Sequence, residues 1–334
     1  MRTWWPFIGR ESELSRLLAA LEEAVAGAGG VVLVTGEPGI GKTRLAEELA
    51  AQAIADGITV YWGRCWEAGG APPFWPWIEV LRALPEAPVE LLTTTAEVES
   101  PAAQRARFER FDAVAQFLTG AGLVRPVLIV LDDVHAADPS SLLLLEFLAR
   151  AARTARLLVV AAYRPTDAES GAGAEIIERL RRSAMTLALT GLADAEIARL
   201  LAERTGSRPE QAQLRAVREA TDGNPFLVTE LAGLGPGEPL PAGVRQAAGR
   251  RLQPLPPPVR ELLGIAAVGG RDIDPVVLSL VSGRAELDML GQLETAQRAG
   301  ILTRHGERLR FRHILLRDAL EDGLDPATRR RLHA

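Results

Sequence analysis

The stretch VVLVTGEPGIGKT, residues 31–43, decides the fold of this chain. Residues 31–35 are a short apolar run rich in β-branched side chains, which is typical of a buried strand. Residues 36–43 (GEPGIGKT) match the pattern G-x-x-x-x-G-K-[ST] at every fixed position. Helix-forming residues follow at once in residues 44–50 (RLAEELA). The order of strand, glycine loop and helix is the context that makes this pattern a phosphate-binding loop.

The predicted chemistry of this loop depends on its backbone and on two side chains. The glycines let successive N–H groups face one anion, and the following helix adds the positive end of its dipole. Lys42 can reach the β- and γ-phosphates, and Thr43 can offer its hydroxyl to Mg²⁺. The residues predicted to contact ATP or ADP here are Glu37, Pro38, Gly39, Ile40, Gly41, Lys42, Thr43 and Arg44. An ordinary glycine-rich turn would explain the glycines but not the Lys-Thr pair.

A second apolar run ends in two carboxylates. Residues 127–131 (VLIVL) are apolar without alternation, which favours a parallel strand covered on both faces. Asp132 and Asp133 follow at the edge where open α/β sheets bind ligands. We predict that Asp132 holds the Mg²⁺ shell and that Asp133 orients or deprotonates the attacking water. A strand followed by an Asp-rich turn is the alternative, and it is the weaker one downstream of a complete phosphate loop.

Arg164 follows a further apolar run, residues 157–162 (LLVVAA), which predicts another buried strand. Since parallel strands end at one edge of a sheet, Arg164 is expected near the two aspartates, where a cation could sense the γ-phosphate. We therefore group Arg164 with Lys42 and Asp133 as the candidate catalytic residues. A solvated arginine is a serious competing interpretation, because Pro165 already indicates a loop.

The composition limits the class of protein. The 334 residues are enough for two or three domains, and a hydrophobic fraction of 47% allows packed cores. A formal charge of −5 argues against a protein that coats nucleic acid with its whole surface. The single cysteine, Cys65, excludes an intramolecular disulfide framework and suits a reducing compartment. Residues 1–6 lack the apolar core of a signal peptide, and no apolar run is long enough for a membrane span. We expect a cytoplasmic protein.

Strands alternate with helices up to about residue 190, which predicts a doubly wound α/β domain with a parallel sheet and helices on both faces. The predicted strands are residues 31–35, 59–62, 127–131, 157–162 and 185–189. Residues 65–77 hold three of the six tryptophans in a Pro/Gly-rich context. We interpret them as an irregular insertion held by its aromatic side chains. A partner or lid surface is the alternative.

From residue 191 onward the pattern is helical. Asn224 and Pro225 predict the N-cap and the first residue of a helix. Residues 301–303 and 308–311 predict a hairpin. Helices followed by such a hairpin suggest a winged-helix domain. The predicted domains are 1–190 (nucleotide binding), 191–240 (helical lid), 241–325 (winged helix) and 326–334 (start of a further helical region).

Three local patterns carry further predictions. A helix starting after Gly9 and Arg10 could lend backbone groups to the adenine, although a surface helix cap would explain the same residues. Ser140 and Asp194 are predicted N-caps of helices 141–152 and 195–204. A stripe at helical spacing within residues 102–119 is expected to pack in the core, and it comprises Phe108, Phe111, Val114 and Phe117.

Five motifs occur together in one order along nearly the whole chain. They are residues 7–11 (FIGRE), the phosphate loop, residues 131–135 (LDDVH), residues 223–226 (GNPF) and residues 311–318 (FRHILLRD). This order resembles the signal-transduction ATPases with numerous domains (STAND), and within them the large ATP-binding LuxR-type bacterial transcription regulators. The tract 66–77, with its sequence APPFWPW, is similar to that subgroup as well.

The resemblance implies a regulatory switch in which slow hydrolysis separates an ATP-bound open state from an ADP-bound closed state. It implies that Pro225 packs on the adenine, that Arg164 senses the phosphate and that His313 contacts the β-phosphate of ADP. This chain departs from the family at residues 312–314 (RHI), which keep only the histidine of an M-H-D-like motif. It departs again at Ala136, where relatives commonly have tryptophan.

The resemblance also implies partners outside this chain. Relatives continue into helical sensor repeats and a C-terminal helix-turn-helix, so we expect DNA contact through that module, an inducer and self-assembly in the ATP state. A DNA-loading AAA+ ATPase of the replication-initiator type is the alternative, but such proteins usually carry a sensor arginine where this chain has residues 224–226 (NPF). A non-hydrolysing nucleotide clamp that acts as a scaffold is a further alternative.

Overall fold

A computed structural model describes residues 7–66, 70–93, 101–165, 173–232, 242–305 and 308–333 of the chain. The chain forms two compact units, residues 1–190 and residues 191–334. Buried apolar clusters lie within each unit. The two units are described separately below as the first unit and the second unit.

The first unit is built on a parallel sheet of five strands. In chain order they are β1 (Gly30–Thr35), β2 (Thr59–Arg64), β3 (Val127–Asp132), β4 (Leu157–Tyr163) and β5 (Met185–Ala188). The spatial order β2-β3-β4-β1-β5 places β1, which leads into the phosphate loop, between β4 and β5. Both β3 and β4 are buried along their whole length, as expected for apolar runs without alternation. Because β4 pairs in parallel with both β1 and β3, the ends of these three strands share one edge of the sheet.

Helices cover both faces of this sheet. They are α1 (Glu11–Val25), α2 (Lys42–Ala55), α3 (Trp75–Arg82), α4 (Glu90–Thr93), α5 (Pro101–Val124), α6 (Pro139–Ala151) and α7 (Ala174–Ser183). Val32 and Val34 of β1 belong to a core with α1 and α2. Val31 and Leu33 belong to a second core with α3, α5, α6 and α7. This alternation along β1 confirms the predicted α/β architecture with helices on both faces.

The tract after β2 is more ordered than the sequence suggested. Helix α3 begins at Trp75, inside the stretch that we predicted to be irregular. Trp77 is fully buried, and its indole N–H donates to the Ser141 carbonyl oxygen at 3.0 Å. Trp66 is exposed, and residues 67–69 lie outside the described residues. Part of the tract is therefore helical and lies in the core of the first unit, so the tract is not irregular throughout.

Two predicted helix caps are wrong by one or two positions. Helix α6 is capped by Asp138, not Ser140, because the Asp138 carboxylate accepts from the Ser141 N–H at 3.0 Å. Proline at residue 139 then occupies the first helical position, where it fits best. The helix predicted to follow Asp194 instead includes it, and Ala193 is the cap residue.

The predicted stripe on α5 is buried only in part. Phe111 and Val114 lie in the core, whereas Phe108 is 60% exposed. Helix α5 begins at Pro101, and its residues 104–109 are exposed. Phe108 still makes an edge contact with the Phe147 ring, with centroids 5.6 Å apart. The prediction that Phe108 is a core residue is therefore wrong.

The second unit is mainly helical. Its elements are α8 (Asp194–Thr205), α9 (Gln211–Thr221), α10 (Pro225–Leu231), α11 (Ala242–Leu252), α12 (Pro257–Val268), β6 (Asp272–Ile273), α13 (Pro275–Ser282), α14 (Glu286–Arg298), β7 (Leu302–His305), β8 (Arg308–Phe311), α15 (Ile314–Asp322) and α16 (Pro326–His333). The three short strands form an antiparallel sheet in the order β6-β8-β7. A core centred on α12 joins α11, α13, α14, α15 and the hairpin.

Two local predictions for the second unit are confirmed. Asn224 caps α10, since its side-chain oxygen accepts from the Leu227 N–H at 3.4 Å, and Pro225 is the first helical residue. Strands β7 and β8 form the predicted hairpin. Helices α11 and α15 were not predicted, and the turn-rich residues 235–241 lie outside the described residues.

Across the described part of the chain, no helix combines the length and the apolar character that a membrane span requires.

Candidate nucleotide site

The phosphate loop leaves β1 at Thr35 and enters α2 at Lys42. A Cβ at Gly36 would lie 2.9 Å from the Leu189 carbonyl oxygen, so no side chain fits there. Gly41 precedes α2 with a φ of 103°, a conformation that strongly favours glycine. The Leu189 N–H donates to the Thr35 carbonyl at 2.8 Å and fixes the end of β1. The loop thus meets the backbone requirements of an anion site at a helix N-terminus.

Lys42 lies over this loop. Its side chain is buried, and Nζ donates to the carbonyl oxygens of Gly36 at 2.8 Å and Glu37 at 3.0 Å. An ammonium has three rotatable donors and can exchange a carbonyl for a phosphate oxygen. The structure therefore places the positive charge at the loop that should hold the phosphates.

Thr43 and Asp132 meet between α2 and the end of β3. The Thr43 hydroxyl donates to the Asp132 carboxylate at 2.9 Å. Burial raises the pKa of the Asp132 carboxyl and the charge of Asp133 raises it further, while the Thr43 hydrogen bond and Lys42 act in the opposite direction. A hydroxyl and a carboxylate are oxygen ligands of the kind that Mg²⁺ prefers beside nucleotide phosphates. The two residues therefore fit Mg²⁺, which when bound neutralises charge on the phosphate oxygens.

Asp133 is held beside two nitrogen-bearing side chains. Its Oδ1 atom lies 3.7 Å from an Arg164 guanidinium nitrogen and 3.8 Å from Nδ1 of His135. Its backbone is left-handed, with a φ of 56°, which aspartate tolerates better than most residues. The ends of β3 and β4 thus bring Asp133 and Arg164 together. We assigned no chemical role to His135 from the sequence, although it is the last residue of the motif at 131–135.

Arg10 connects three parts of the first unit. It is buried, with a left-handed backbone, and its guanidinium pairs with Glu13 of α1 at 3.0 Å. The guanidinium also donates to the carbonyl oxygen of Ile40 in the phosphate loop at 3.3 Å and to that of Thr190. A planar fork of five N–H donors suits several carbonyl and carboxylate partners at once. The side chain thus braces the loop, a role that the sequence did not reveal.

We expect the substitution Arg10→Met to weaken ATP and ADP binding equally, by about tenfold, because one charged hydrogen bond to the loop contributes about 1.5 kcal/mol. Isothermal titration calorimetry with both nucleotides measures the change. Arg16→Met, on the exposed face of the same helix, is the matched control and should leave both affinities unchanged. Parent affinities in the Arg10→Met variant would contradict the bracing role.

The remaining predicted site residues fall into two groups. Gly9 and Arg44 lie in the first unit, where Arg44 pairs with Glu47 and Glu48 along α2 and lies over the Phe7 ring. Pro225 and His313 belong to the second unit, at the starts of α10 and α15. His313 is 2% exposed and directly follows the strand β8 and Arg312.

Comparison with known proteins agrees with this geometry. Residues 6–160 match the sequence profile of the AAA ATPase domain family. An uncharacterized protein of Rhizobium meliloti (strain 1021) is 26% identical over an alignment 389 residues long. The alignment covers 98% of this chain and 36% of that protein. The chain therefore spans about a third of the length of this curated relative.

Two solved structures share the fold of this chain at low sequence identity, and a third is similar with a TM-score below 0.5. A Walker-type ATPase of Pyrococcus abyssi superposes with a TM-score of 0.61 at 14% identity, covering 94% of this chain and 96% of that one. The ORC2 protein of Aeropyrum pernix, in ADPNP-ADP complexes, has a TM-score of 0.60 at 16% identity and covers 100% and 96%. A STAND protein of Pyrococcus horikoshii with a tetratricopeptide repeat sensor covers 100% of this chain and 46% of its own, at 18% identity and a TM-score of only 0.45.

At such identities the first two structures establish the fold alone. The profile match adds the type of domain. Its residues 6–160 include the phosphate loop, Asp132 and Asp133, and the first four residues of β4. Taken together with the geometry around Lys42, Thr43 and Asp132, it shows that this chain carries an AAA-type ATPase domain and is an ATPase.

Proposed function

We propose that this ATPase is the nucleotide-dependent switch region of a STAND-class signal-transduction protein that regulates transcription. The observation that carries the proposal is the pair of Arg164 and Asp133, with charged atoms 3.7 Å apart. The same arginine can pair with this carboxylate or with a γ-phosphate, so its partner differs between the ADP and ATP states. A ligand shifts a conformational equilibrium only when it interacts differently with the two states, and the γ-phosphate supplies that difference.

In this proposal the second unit consists of two domains that respond to the bound nucleotide, a lid and a winged-helix domain. Helices α8–α10 form the lid of residues 191–240, and the winged-helix domain spans residues 241–325. The packing of α12, α13 and α14 with the β7–β8 hairpin supports the second assignment. Residues 326–334 begin the next helical region, which receives the signal. Slow hydrolysis by the first unit then sets how long the protein stays open.

Two residues of the second unit would contact the nucleotide. Pro225 packs on the adenine from the first position of α10, where the Asn224 cap fixes the start of the helix. His313 donates a hydrogen bond to the β-phosphate of ADP from the N-cap position of α15. Such a contact would couple the winged helix to ADP and hold the closed state.

We expect His313→Ala to weaken ADP binding more than ATP binding, because the contact with ADP is lost from the closed state only. The ratio of the two affinities should change by at most about hundredfold, since one charged hydrogen bond contributes about 1.5–3 kcal/mol. Calorimetric titration of the full chain with each nucleotide measures this ratio.

Leu316→Ala is the matched control for this experiment. Leu316 is also buried in the first turn of α15, so its truncation should lower thermal stability without changing the affinity ratio. If His313→Ala behaves like this control, His313 is a core residue, and the proposed contact with ADP that holds the closed state is refuted.

The proposal that this is a STAND-class protein also includes its assembly, its inducer and its contact with DNA. The ATP state would self-assemble in the cytoplasm after an inducer binds, and DNA contact would come from a helix-turn-helix outside this chain. A DNA-loading ATPase of the replication-initiator type is the alternative function. Strong stimulation of hydrolysis by duplex DNA would favour that alternative, and a complete lack of turnover would favour a nucleotide clamp.

A further inference from the structure

Two successive helices of the second unit expose large apolar side chains. Helices α13 and α14 both pack on α12 through one side, using Leu278, Met289 and Leu293. On their other side six apolar residues are between 40% and 84% exposed. This α13–α14 face consists of Val276, Val277, Leu280, Val281, Leu287 and Leu290. Clustered exposure of this kind marks an interaction site more often than scattered surface leucines do.

Gly291 gives a second and independent indication. It lies inside α14, four residues after Leu287 and hence on the same side of the helix. A Cβ built at Gly291 would meet nothing within 4 Å, so packing among the described residues does not explain the glycine. Glycine inside a helix is destabilising compared with alanine. A close approach of another backbone to the helix at this point would account for Gly291.

The charges around the face decide what kind of partner fits. Helix α13 has no charged residue, and α14 carries Glu286, Asp288 and Glu294 against the single basic residue Arg298. At 100° per residue, Glu286 and Asp288 lie on the two flanks of Leu287. The face is therefore an apolar stripe with acidic edges at the N-terminal end of α14.

These charges count against two other occupants. DNA is a polyanion, and the carboxylates of Glu286 and Asp288 would repel it where a helix of this unit approached the duplex. A second copy of this chain, packed face to face about a twofold axis, would bring the same acidic edges together. A helix with an apolar stripe flanked by arginine or lysine would pair with both edges instead.

We propose that the α13–α14 face is a docking surface for a basic amphipathic helix of a protein partner. Apolar residues of that helix cover Leu280 and Leu287, its backbone approaches Gly291, and its basic side chains pair with Glu286 and Asp288. The proposal concerns this surface alone and stands independently of the nucleotide switch.

The test uses the full chain and two fluorescent synthetic helices as probes. Both carry a leucine stripe at helical spacing, flanked by arginine in one and by glutamate in the other. Fluorescence anisotropy should show at least about tenfold tighter binding of the arginine helix, with an affinity that falls as salt is added. The double variant Leu280→Ser/Leu287→Ser should weaken that binding by about tenfold or more, because leucine burial is lost.

Leu123→Ser is the matched control, since Leu123 is equally exposed but lies on α5 of the first unit. It should leave binding unchanged, and circular dichroism melting should show that every variant is folded. The charge reversal Glu286→Lys/Asp288→Lys should shift the preference toward the glutamate helix.

Four outcomes would overturn the proposal. They are equal binding of both helices, no binding of either, full binding by the Leu280→Ser/Leu287→Ser variant, and tighter binding of duplex DNA that this variant abolishes. Sedimentation of the parent chain as a dimer, converted to a monomer by the same variant, would identify a second copy as the occupant instead.

Discussion

Asp133→Asn should lower the rate of ATP hydrolysis by about 10²- to 10⁴-fold, the contribution expected of a general base. Asparagine keeps the size of the side chain and tolerates the left-handed backbone of residue 133, so the end of β3 should not be strained. It cannot accept a proton from water, and it loses the charge that faces Arg164 at 3.7 Å. Nucleotide binding should persist, because Lys42, Thr43 and Asp132 are intact.

Single-turnover hydrolysis and ATP titration separate these two effects. Asp56→Asn is the matched control, since Asp56 is an exposed carboxylate after α2 and should not affect either quantity. Hydrolysis at the parent rate in Asp133→Asn would assign the catalytic role to another group. A loss of binding that equals the loss of turnover would make Asp133 a binding residue.

Lys42→Ala should weaken ATP binding by at least about hundredfold, because a charge-assisted contact of about 3 kcal/mol with the phosphates disappears. The carbonyl oxygens of Gly36 and Glu37 also lose their donor, so the loop itself becomes less defined. Hydrolysis should fall at least as far. Calorimetric titration with ATP and Mg²⁺ is the direct measurement.

Lys42→Arg controls for charge in this experiment. It keeps a cation at the loop but replaces a compact ammonium with a larger planar group, so binding should recover only in part. Unchanged affinity in Lys42→Ala would refute the phosphate site and, with it, the switch proposed for the whole chain.

The phosphate loop and the buried strands could be predicted because each depends on a short, continuous stretch of sequence. Residues 36–43 satisfy a fixed pattern, and residues 127–131 are apolar without a break. The Asn224 cap is similarly local, since donor and acceptor lie three residues apart. Parallel strands then bring Asp133 and Arg164 together without any further information from the sequence.

Other features depend on contacts between distant residues. The guanidinium of Arg10 reaches carbonyl oxygens 30 and 180 positions along the chain, so its local sequence could not reveal the contact. Helix α11 contains Gly243 and Gly249, which argue against a helix on propensity alone. Its buried Ala248 and Leu252 belong to the core of the second unit, and this packing outweighs the weak propensity.

The ammonium group over the phosphate loop is also spectroscopically unique, because residue 42 is the only lysine in the chain. Isotopically labelled lysine would therefore introduce a single labelled side chain, and it would stand at the nucleotide site. Its resonance would follow the exchange of the Gly36 and Glu37 carbonyls for phosphate oxygens as nucleotide is added. The occupancy of the site could be observed in this chain without any mutation or attached dye.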